Sequence, residues 1–390
     1  MTRYFDIVYL PSVRATWMLL PEDQRKELMT SLDKLVETGV FIPDYFYKLS
    51  DNPPESLWQN PIKRLDWQPW MDLAKGYSKQ IRADFLYIQD TPQGPPYLAE
   101  SMKVGYGIMY QGVPFRTGIF GGELKKIFHI PNAIQLWKAF TGEILRNERD
   151  KAMFLRHLKS RHLKMVTSLT DVPLEMTKKF RSDLILHKIV PGNAIEKPVS
   201  GLTAGKKGGY VLFYARLSIN KGILEIPYIW SKILKAREDL NLFLIGKFQD
   251  SITELQFRRK CKKYNIEHKV KILGFIEEKS EIFRILANAL IVIYPTHEDG
   301  LPFTLIEAIA HNTHVVAYNL PTIYDNFSGS YYIHLVREYD KECMAATALD
   351  VINKVENKIK TWENNGQFHP EYSWTNVAKA EADAINSVFL

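Results

Sequence analysis

The sequence predicts an α/β protein built from two doubly wound domains. The chain has 390 residues, more than one hydrophobic core usually supports. Short apolar runs alternate with helix-like segments, a pattern typical of parallel strands joined by crossover helices. A Gly-, Lys- and Pro-rich stretch at 196–210 has no apolar periodicity and is expected to be a linker. We therefore expect one domain over 1–195 and a second over 196–370.

The apolar runs place the strands of both halves. In the first half we expect strands at about 4–10, 85–89, 106–110 and 164–168. In the second half the runs lie at 211–215, 240–246, 270–275, 289–295 and 313–319. Each of the later runs is followed by turn residues or by a helix-like segment, which predicts a second doubly wound domain.

The last segment, 371–390, is expected to be an amphipathic helix. Ser373 is a plausible N-cap, and apolar residues follow at helical spacing from Trp374 to Phe389. Such a helix needs an apolar surface to cover, so we expect it to cross back toward the first domain.

Composition excludes several classes of protein. The apolar fraction of 46% and the charged fraction of 24% are normal for a globular chain and do not indicate disorder or a fibrous repeat. Only two cysteines are present, without C-x-x-C spacing, which favours a reducing cytosol over a disulfide framework. The N-terminus does not resemble a signal peptide, and the apolar runs are too short to span a membrane. We expect a cytoplasmic protein.

One segment of the second half, 295–310, combines a strand end, an acidic loop and a helix start. Pro302 fits the first helical position, and the next amides, of Phe303 and Thr304, fall among the unpaired donors of the first turn. Such a helix start binds anions. Glu307 is the only charge in the helix, and its carboxylate suits either a ribose diol or a structural ion pair with an arginine. Asp299 either binds a ligand or caps the helix.

A second motif, VLFYARLSINKG at 211–222, has two cationic residues just after a buried strand. Arg216 lies directly after the strand, and Lys221 is expected at the start of the following helix. In open parallel sheets this edge binds ligands, and an Arg and a Lys together suit a diphosphate. The alternative is that both are solvated loop cations. The nearby GLTAGKKG lacks the spacing of a phosphate-binding P-loop.

These motifs resemble in order and spacing the donor-binding half of the family 4 retaining glycosyltransferases, which have the GT-B fold. The resemblance spans roughly 163–390 and includes PGNAIE at 191–196, similar to the family's turn between its two domains. It implies two Rossmann-like domains that face a cleft.

The resemblance also implies a role for each matching residue. Arg216, Lys221, Phe303 and Thr304 would bind the donor diphosphate, and Glu307 the ribose hydroxyls. Gly274 and Phe275 would line the base pocket. The sugar would contact the acidic loop, formed by Glu298, Asp299, Gly300 and Leu301. Asp299 occupies the register of the family's first acid, with Glu298 as its competitor for that role.

The first half departs from the family pattern. The family's Gly-Gly after the first strand is missing, and Gln111 in GIMYQG occupies the place of a histidine. We expect Gln111 at the catalytic centre together with Asp299, although an amide cannot act as a general acid or base. This fits a reaction assisted by the donor's own phosphate, and it also fits a weakened enzyme.

The segment 124–164 is rich in Lys, Arg and His as well as in large apolar residues. Such basic amphipathic helices suit a membrane surface, whereas the alternative is a helix that packs on its own domain. Neither stacking motifs nor an extreme charge supports nucleic acid as a partner. No metal-binding or dinucleotide-binding motif occurs, so we expect neither a metal nor a cofactor.

Together these features predict a hexosyltransferase. We expect it to move a hexose-type sugar from a UDP- or GDP-sugar to a sugar, lipid-linked or glycan acceptor, with retention and without metal. Two alternatives stay open at this point: a nucleotide-sugar epimerase of similar fold, and a catalytically weakened protein that binds carbohydrate or nucleotide.

Overall fold

Two parallel β-sheets with flanking helices organise the chain in the computed structural model. The structure describes residues 1–7, 22–42, 75–76, 82–89, 95–115, 133–195, 208–357 and 372–390. Of the linker predicted at 196–210, residues 196–207 lie outside these ranges, and Tyr210 already begins a strand; residues 124–132 of the basic segment also lie outside the ranges.

The first sheet has the strand order β1-β2-β3-β4, with all pairs parallel. Its strands are β1 (Phe85–Gln89), β2 (Gly105–Tyr110), β3 (Leu163–Ser168) and β4 (Ile185–Lys188). Its helices are α1 (Glu22–Glu37), α2 (Pro95–Met102), α3 (Ala133–Leu158) and α4 (Asp171–Phe180).

The second sheet has the order β10-β9-β8-β5-β6-β7. Its strands are β5 (Tyr210–Tyr214), β6 (Asn241–Ile245), β7 (Val270–Gly274), β8 (Ile291–Tyr294), β9 (His314–Tyr318) and β10 (Ile333–Val336). Between them run α5 (Ile226–Ala236), α6 (Ser251–Lys263), α7 (Lys279–Asn288), α8 (Phe303–Ala310), α9 (Pro321–Phe327) and α10 (Lys341–Glu356), and α11 (Trp374–Asn386) follows. Strand order reverses between β5 and β8, and a crevice at the carboxyl ends of such a pair is where open parallel sheets bind ligands.

Alternation along β5 divides the core between the two faces of the second sheet. Val211 and Phe213 pack into one cluster with α5 and α10, whereas Leu212 faces the other side. That second cluster also contains Met109 of β2 and Met165 of β3. The two sheets therefore share buried apolar contacts.

Helix α11 packs against residues of the first sheet. The Ser373 hydroxyl accepts from the amide of Asn376, as expected for an N-cap. Gln89 of β1 donates to Glu381, and His187 of β4 lies 2.9 Å from the hydroxyl of Ser387. These contacts attach the C-terminal segment to the first sheet.

Most of the predicted strands form, but the prediction for 4–10 is wrong over 4–7. There the chain turns, and the Tyr4 amide donates to the Met1 carbonyl. Residues 8–10 lie outside the described ranges. A short apolar run does not by itself define a strand, because the same run can be buried in a turn. Strands β4 and β10 were missed because a histidine interrupts each short apolar run, whereas β8, of the same length, is apolar throughout.

Candidate active site

A cavity of about 990 Å³ lies between the two sheets. One wall comes from the first sheet, where the β2 end supplies Tyr110 and Gln111 and helix α3 supplies Arg149 and Asp150. The opposite wall comes from the loops that follow β5 and β8. Nine residues predicted from the sequence line it: Gln111, Arg216, Lys221, Glu298, Asp299, Gly300, Leu301, Phe303 and Thr304.

The loop after β5 carries the two predicted phosphate ligands. Lys221 was expected at the start of the following helix. It is instead the last residue of a short 3₁₀ turn over Ile219–Lys221. Gly222 then adopts a φ of 76°, and a Cβ there would lie 2.0 Å from the Pro295 carbonyl oxygen. A side chain is therefore excluded at 222, and the close approach brings the loop against the loop after β8.

Arg216 and Lys221 are held differently. Arg216 is exposed at the cavity, and among the described residues its guanidinium has no hydrogen-bond or ion-pair partner. The Lys221 ammonium instead donates to the Glu298 carbonyl at 3.0 Å and contacts the Asp299 carboxylate. A cation left unpaired at a cavity is available to an anionic ligand.

Helix α8 begins one residue later than predicted. Pro302 is the N-cap, with a ψ of 126°, and Phe303 is the first helical residue. The amides of Phe303 and Thr304 lie in the first turn, where no carbonyl of the helix can accept from them. They therefore keep the geometry that binds an anion. The Thr304 hydroxyl donates to the Tyr214 carbonyl at 2.9 Å, which ties the helix start to the end of β5.

Asp299 does not cap helix α8, which was one of its two interpretations. Its carboxylate instead contacts Lys221 and accepts from the Tyr294 hydroxyl at 2.5 Å. Burial and the Asp299 charge raise the Tyr294 pKa well above its usual value, so this phenol stays protonated and donates. Glu298 accepts from the Asn220 side chain at 2.9 Å. Both acids line the cavity, each with its own partner.

Glu307 is buried in α8 and lies outside the lining of the cavity. Its partner is Lys279, whose ammonium is 2.6 Å from Oε1, and not an arginine. The side chain is only 2% exposed, and Oε2 accepts no hydrogen bond of ordinary geometry among the described residues, although the Tyr214 hydroxyl lies near enough that burial and the Glu307 charge together raise the Tyr214 pKa. Leaving a buried carboxylate oxygen unsatisfied is costly, which suits an oxygen that accepts from a ligand.

Gly274 and Phe275, predicted to line the base pocket, are not part of this cavity. Gly274 ends β7 with a φ of 77°, and the Phe275 ring is 71% exposed. Phe275 lies instead at a shallow groove beside α7, together with Leu273 and Glu278.

The two sheets approach closely where Gln111 meets Gly300. A Cβ on Gly300 would lie 2.0 Å from the Gln111 carbonyl oxygen. Nearby, the Asn193 side chain donates to the Leu301 carbonyl at 3.2 Å. The acidic loop of the second sheet thus touches the first sheet through its backbone.

Sequence reasoning missed four residues that hold the site: Lys279, Tyr294, Asn220 and His297. Tyr294 and His297 lie within the motif at 295–310 or directly before it, so their place near the ligand could have been inferred. Asn220 lies within the motif at 211–222, directly before Lys221, so it could also have been inferred, whereas Lys279 had no comparable signal because its partner is 28 residues away along the chain.

The basic segment forms helix α3 over its described part. Trp137 and Leu145 of this helix are 64% and 70% exposed. No helix in the described part of the chain is long and apolar enough to cross a membrane. Within the same ranges, no group of three His, Cys, Asp or Glu side chains is arranged to hold a metal ion.

Comparison with known proteins identifies relatives of the second half. Residues 197–367 match the family described as glycosyl transferases group 1. An uncharacterized glycosyltransferase of Haemophilus influenzae is 24% identical over 155 residues. This stretch covers 40% of the present chain and 41% of that relative, so less than half of either protein is matched.

Solved structures extend the likeness to both sheets. Sucrose-phosphate synthase of Thermosynechococcus elongatus superposes with a TM-score of 0.61 at 16% identity, covering 85% of this chain and 81% of that one. Anabaena HepE in complex with UDP gives a TM-score of 0.57 at 13% identity, with 82% of each chain covered. These likenesses confirm the predicted GT-B architecture of two Rossmann-like domains.

Proposed function

We propose that the chain transfers a sugar from a nucleotide diphosphate donor to an acceptor hydroxyl, a proposal supported by the match of residues 197–367 to the family of group 1 glycosyl transferases. The observation that carries the proposal is the cationic wall of the cavity. Arg216, which has no side-chain partner among the described residues, lies with Lys221 and the amides of Phe303 and Thr304 where the strand order reverses. Such a set of donors suits a diphosphate.

The rest of the donor would extend on both sides of the diphosphate. The Glu307 carboxylate, with its unsatisfied Oε2, would accept from the ribose hydroxyls. The base would lie toward Gly274 and Phe275 at the end of β7. The sugar would lie against the acidic loop, where Asp299 and Glu298 accept from its hydroxyls. We propose a UDP- or GDP-hexose, and HepE, which has the same fold, was solved with UDP.

The acceptor would enter from the first-sheet wall, beside Gln111. Its hydroxyl attacks the anomeric carbon, the carbon–oxygen bond to the diphosphate breaks, and the hydroxyl proton passes to the departing phosphate. We propose retention of configuration, as the family resemblance implies, because an acceptor hydroxyl that gives its proton to the departing phosphate attacks from the face on which that phosphate leaves; Gln111 cannot take up the proton. Arg216, Lys221 and the α8 amides supply the positive charge that the leaving group needs, so the proposed reaction uses neither a metal nor a cofactor.

We propose a sugar or a lipid-linked glycan as the acceptor, and a cytoplasmic site of action. The exposed Trp137 and Leu145 on the basic helix α3 support a peripheral contact with a membrane surface. Nucleic acid is not among the proposed partners.

A thermal-shift screen tests the proposal. UDP-, GDP- and ADP-sugars are added to the whole chain, since a ligand at about a hundred times its Kd stabilises a protein by about 2.7 kcal/mol. One base should raise Tm clearly above the others, and the same donor should then release free nucleoside diphosphate when a mixture of glycan acceptors is added. A chain that no nucleotide-sugar stabilises would contradict the proposal.

Gln111 at the centre of the cavity favours a second candidate, a nucleotide-sugar-binding protein with weak or no turnover. Stabilisation by a donor without transfer to any acceptor would point to it. Conversion of the donor to a stereoisomer in the absence of acceptor would instead indicate an epimerase.

A further inference from the structure

His297, two residues before Asp299, lies between two carboxylates. Its Nε2 is 2.9 Å from Oε1 of Glu225, and its Nδ1 is 2.8 Å from Oε1 of Glu338. The ring is 3% exposed and stacks on Tyr339, with the ring centroids 4.3 Å apart. Tyr318 also donates its hydroxyl to Glu225. The imidazole is therefore fixed on both edges and on one face.

This arrangement favours a protonated ring. A neutral imidazole donates from only one nitrogen, whereas both nitrogens of His297 face carboxylates. Burial alone would lower the His297 pKa, but the hydrogen bonds and charges of Glu225 and Glu338 outweigh it and raise that pKa. The charged and titratable groups around the cluster are Glu225, Glu338, Tyr318, Tyr339, Asp340, Lys341 and Lys260.

The backbone around His297 joins the two loops that form the site. The His297 amide donates to the Asn220 carbonyl at 2.8 Å, and the Asn220 side chain donates to Glu298. Lys221, the next residue, donates to the Glu298 carbonyl. Glu225 is the N-cap of α5, which follows the same loop, and Glu338 follows β10. The ring thus ties the acidic loop to the segments on either side of it.

We infer that the His297 imidazolium is a positioning residue. It holds the acidic loop against the loop that follows β5, so that Asp299, Glu298 and Lys221 face the sugar end of the donor. This inference rests on the proposed function. His297 is not assigned proton transfer, because both of its nitrogens already contact glutamates. Its loss should weaken contacts to the sugar and the distal phosphate, and it should spare the base and the ribose, which other segments hold.

The test compares His297→Gln with the wild type in the full chain. The probes are UDP-glucose with UMP and GDP-mannose with GMP, measured by calorimetry. We expect the affinity for the nucleotide-sugar to fall roughly tenfold or more, as for loss of a charged hydrogen bond. The affinity for the nucleoside monophosphate should stay unchanged. His314→Gln is the matched control, because His314 is similarly buried and pairs with His334 far from the cavity.

A second variant covers the case in which His297→Gln fails to fold. Glu338→Gln keeps a hydrogen-bonding group but removes one carboxylate, so the ring should lose its proton at lower pH. The affinity for the nucleotide-sugar should then decline at a lower pH than in the wild type. The inference would be overturned if the pH dependence of nucleotide-sugar affinity in Glu338→Gln matched that of the wild type. It would also be overturned if His297→Gln lost affinity equally for the nucleotide-sugar and the nucleoside monophosphate. A wild type that binds neither probe pair would instead contradict the proposed function.

Discussion

The Lys279 ammonium donates to the buried carboxylate of Glu307 across 2.6 Å, while the second oxygen of that carboxylate has no hydrogen-bond partner in the described chain. Lys279 is about half exposed, whereas Glu307 is 2% exposed. The lysine therefore offsets a charge that would be costly to bury alone, and it leaves one oxygen for a ligand.

Glu307→Ala should weaken binding of the matching nucleoside diphosphate by roughly tenfold or more, because a charged hydrogen bond to the ribose is lost. The Kd from calorimetry checks this. Asp350→Ala, which removes an exposed acid on α10, is the matched control and should leave the Kd unchanged. Equal affinities of Glu307→Ala and wild type would remove Glu307 from the ribose site.

Arg216→Ala should reduce affinity for the nucleoside diphosphate more than for the monophosphate, because the unpaired guanidinium is proposed to hold the diphosphate. Arg216→Lys should restore only part of the loss, since an ammonium cannot make the bidentate contact. Titrations at low and high salt should show a weaker salt dependence in Arg216→Ala. Arg258→Ala, on the exposed face of α6, serves as the control. Parallel losses for both nucleotides would speak against the diphosphate assignment.

Gly300→Ala should lower the rate of transfer while the second half still binds the donor. The new methyl group would lie 2.0 Å from the Gln111 carbonyl oxygen, so the acidic loop and the end of β2 must move apart. Steady-state kinetics should show a fall in kcat together with an unchanged nucleoside diphosphate Kd. Gly329→Ala, where a Cβ meets nothing within 4 Å, provides the comparison. A normal kcat in Gly300→Ala would mean that this close approach is not needed for transfer.

The raised pKa of His297 predicts how stability depends on pH. A group whose pKa is higher in the folded protein stabilises it fully below the unfolded value, about 6.5 for histidine, and loses that effect as pH rises through the folded pKa. The pKa of Glu225 is lowered in the folded protein, so the effect is the opposite: the stability that Glu225 contributes is lost as pH falls through its folded pKa. In urea unfolding, the stability difference between wild type and His297→Gln should therefore shrink at alkaline pH. A difference that grows with pH would contradict this ionisation.

The donor half could be predicted closely from local patterns. Apolar runs predicted the strands β5 to β9 of the second sheet, and the residues after β5 and β8 placed Arg216 and the start of α8 at one edge. These predictions succeed because strand alternation and helix capping act over a few residues. The errors of these predictions were also local. Helix α8 begins one residue later than predicted, and Lys221 lies in a 3₁₀ turn and not at the start of a helix.

Local sequence patterns were enough to predict the class of fold, the edge of the sheet that carries the cations and the residue types available there. The contacts between distant residues are set by the folded chain. They are the hydrogen bonds of Lys279 with Glu307 and of His297 with Glu225 and Glu338, and the close approach of the Gln111 backbone to Gly300. These partners come from separate strands and helices, and no local rule sets their distance. They meet because the strand order places β5 beside β8 and because the two sheets share a buried core.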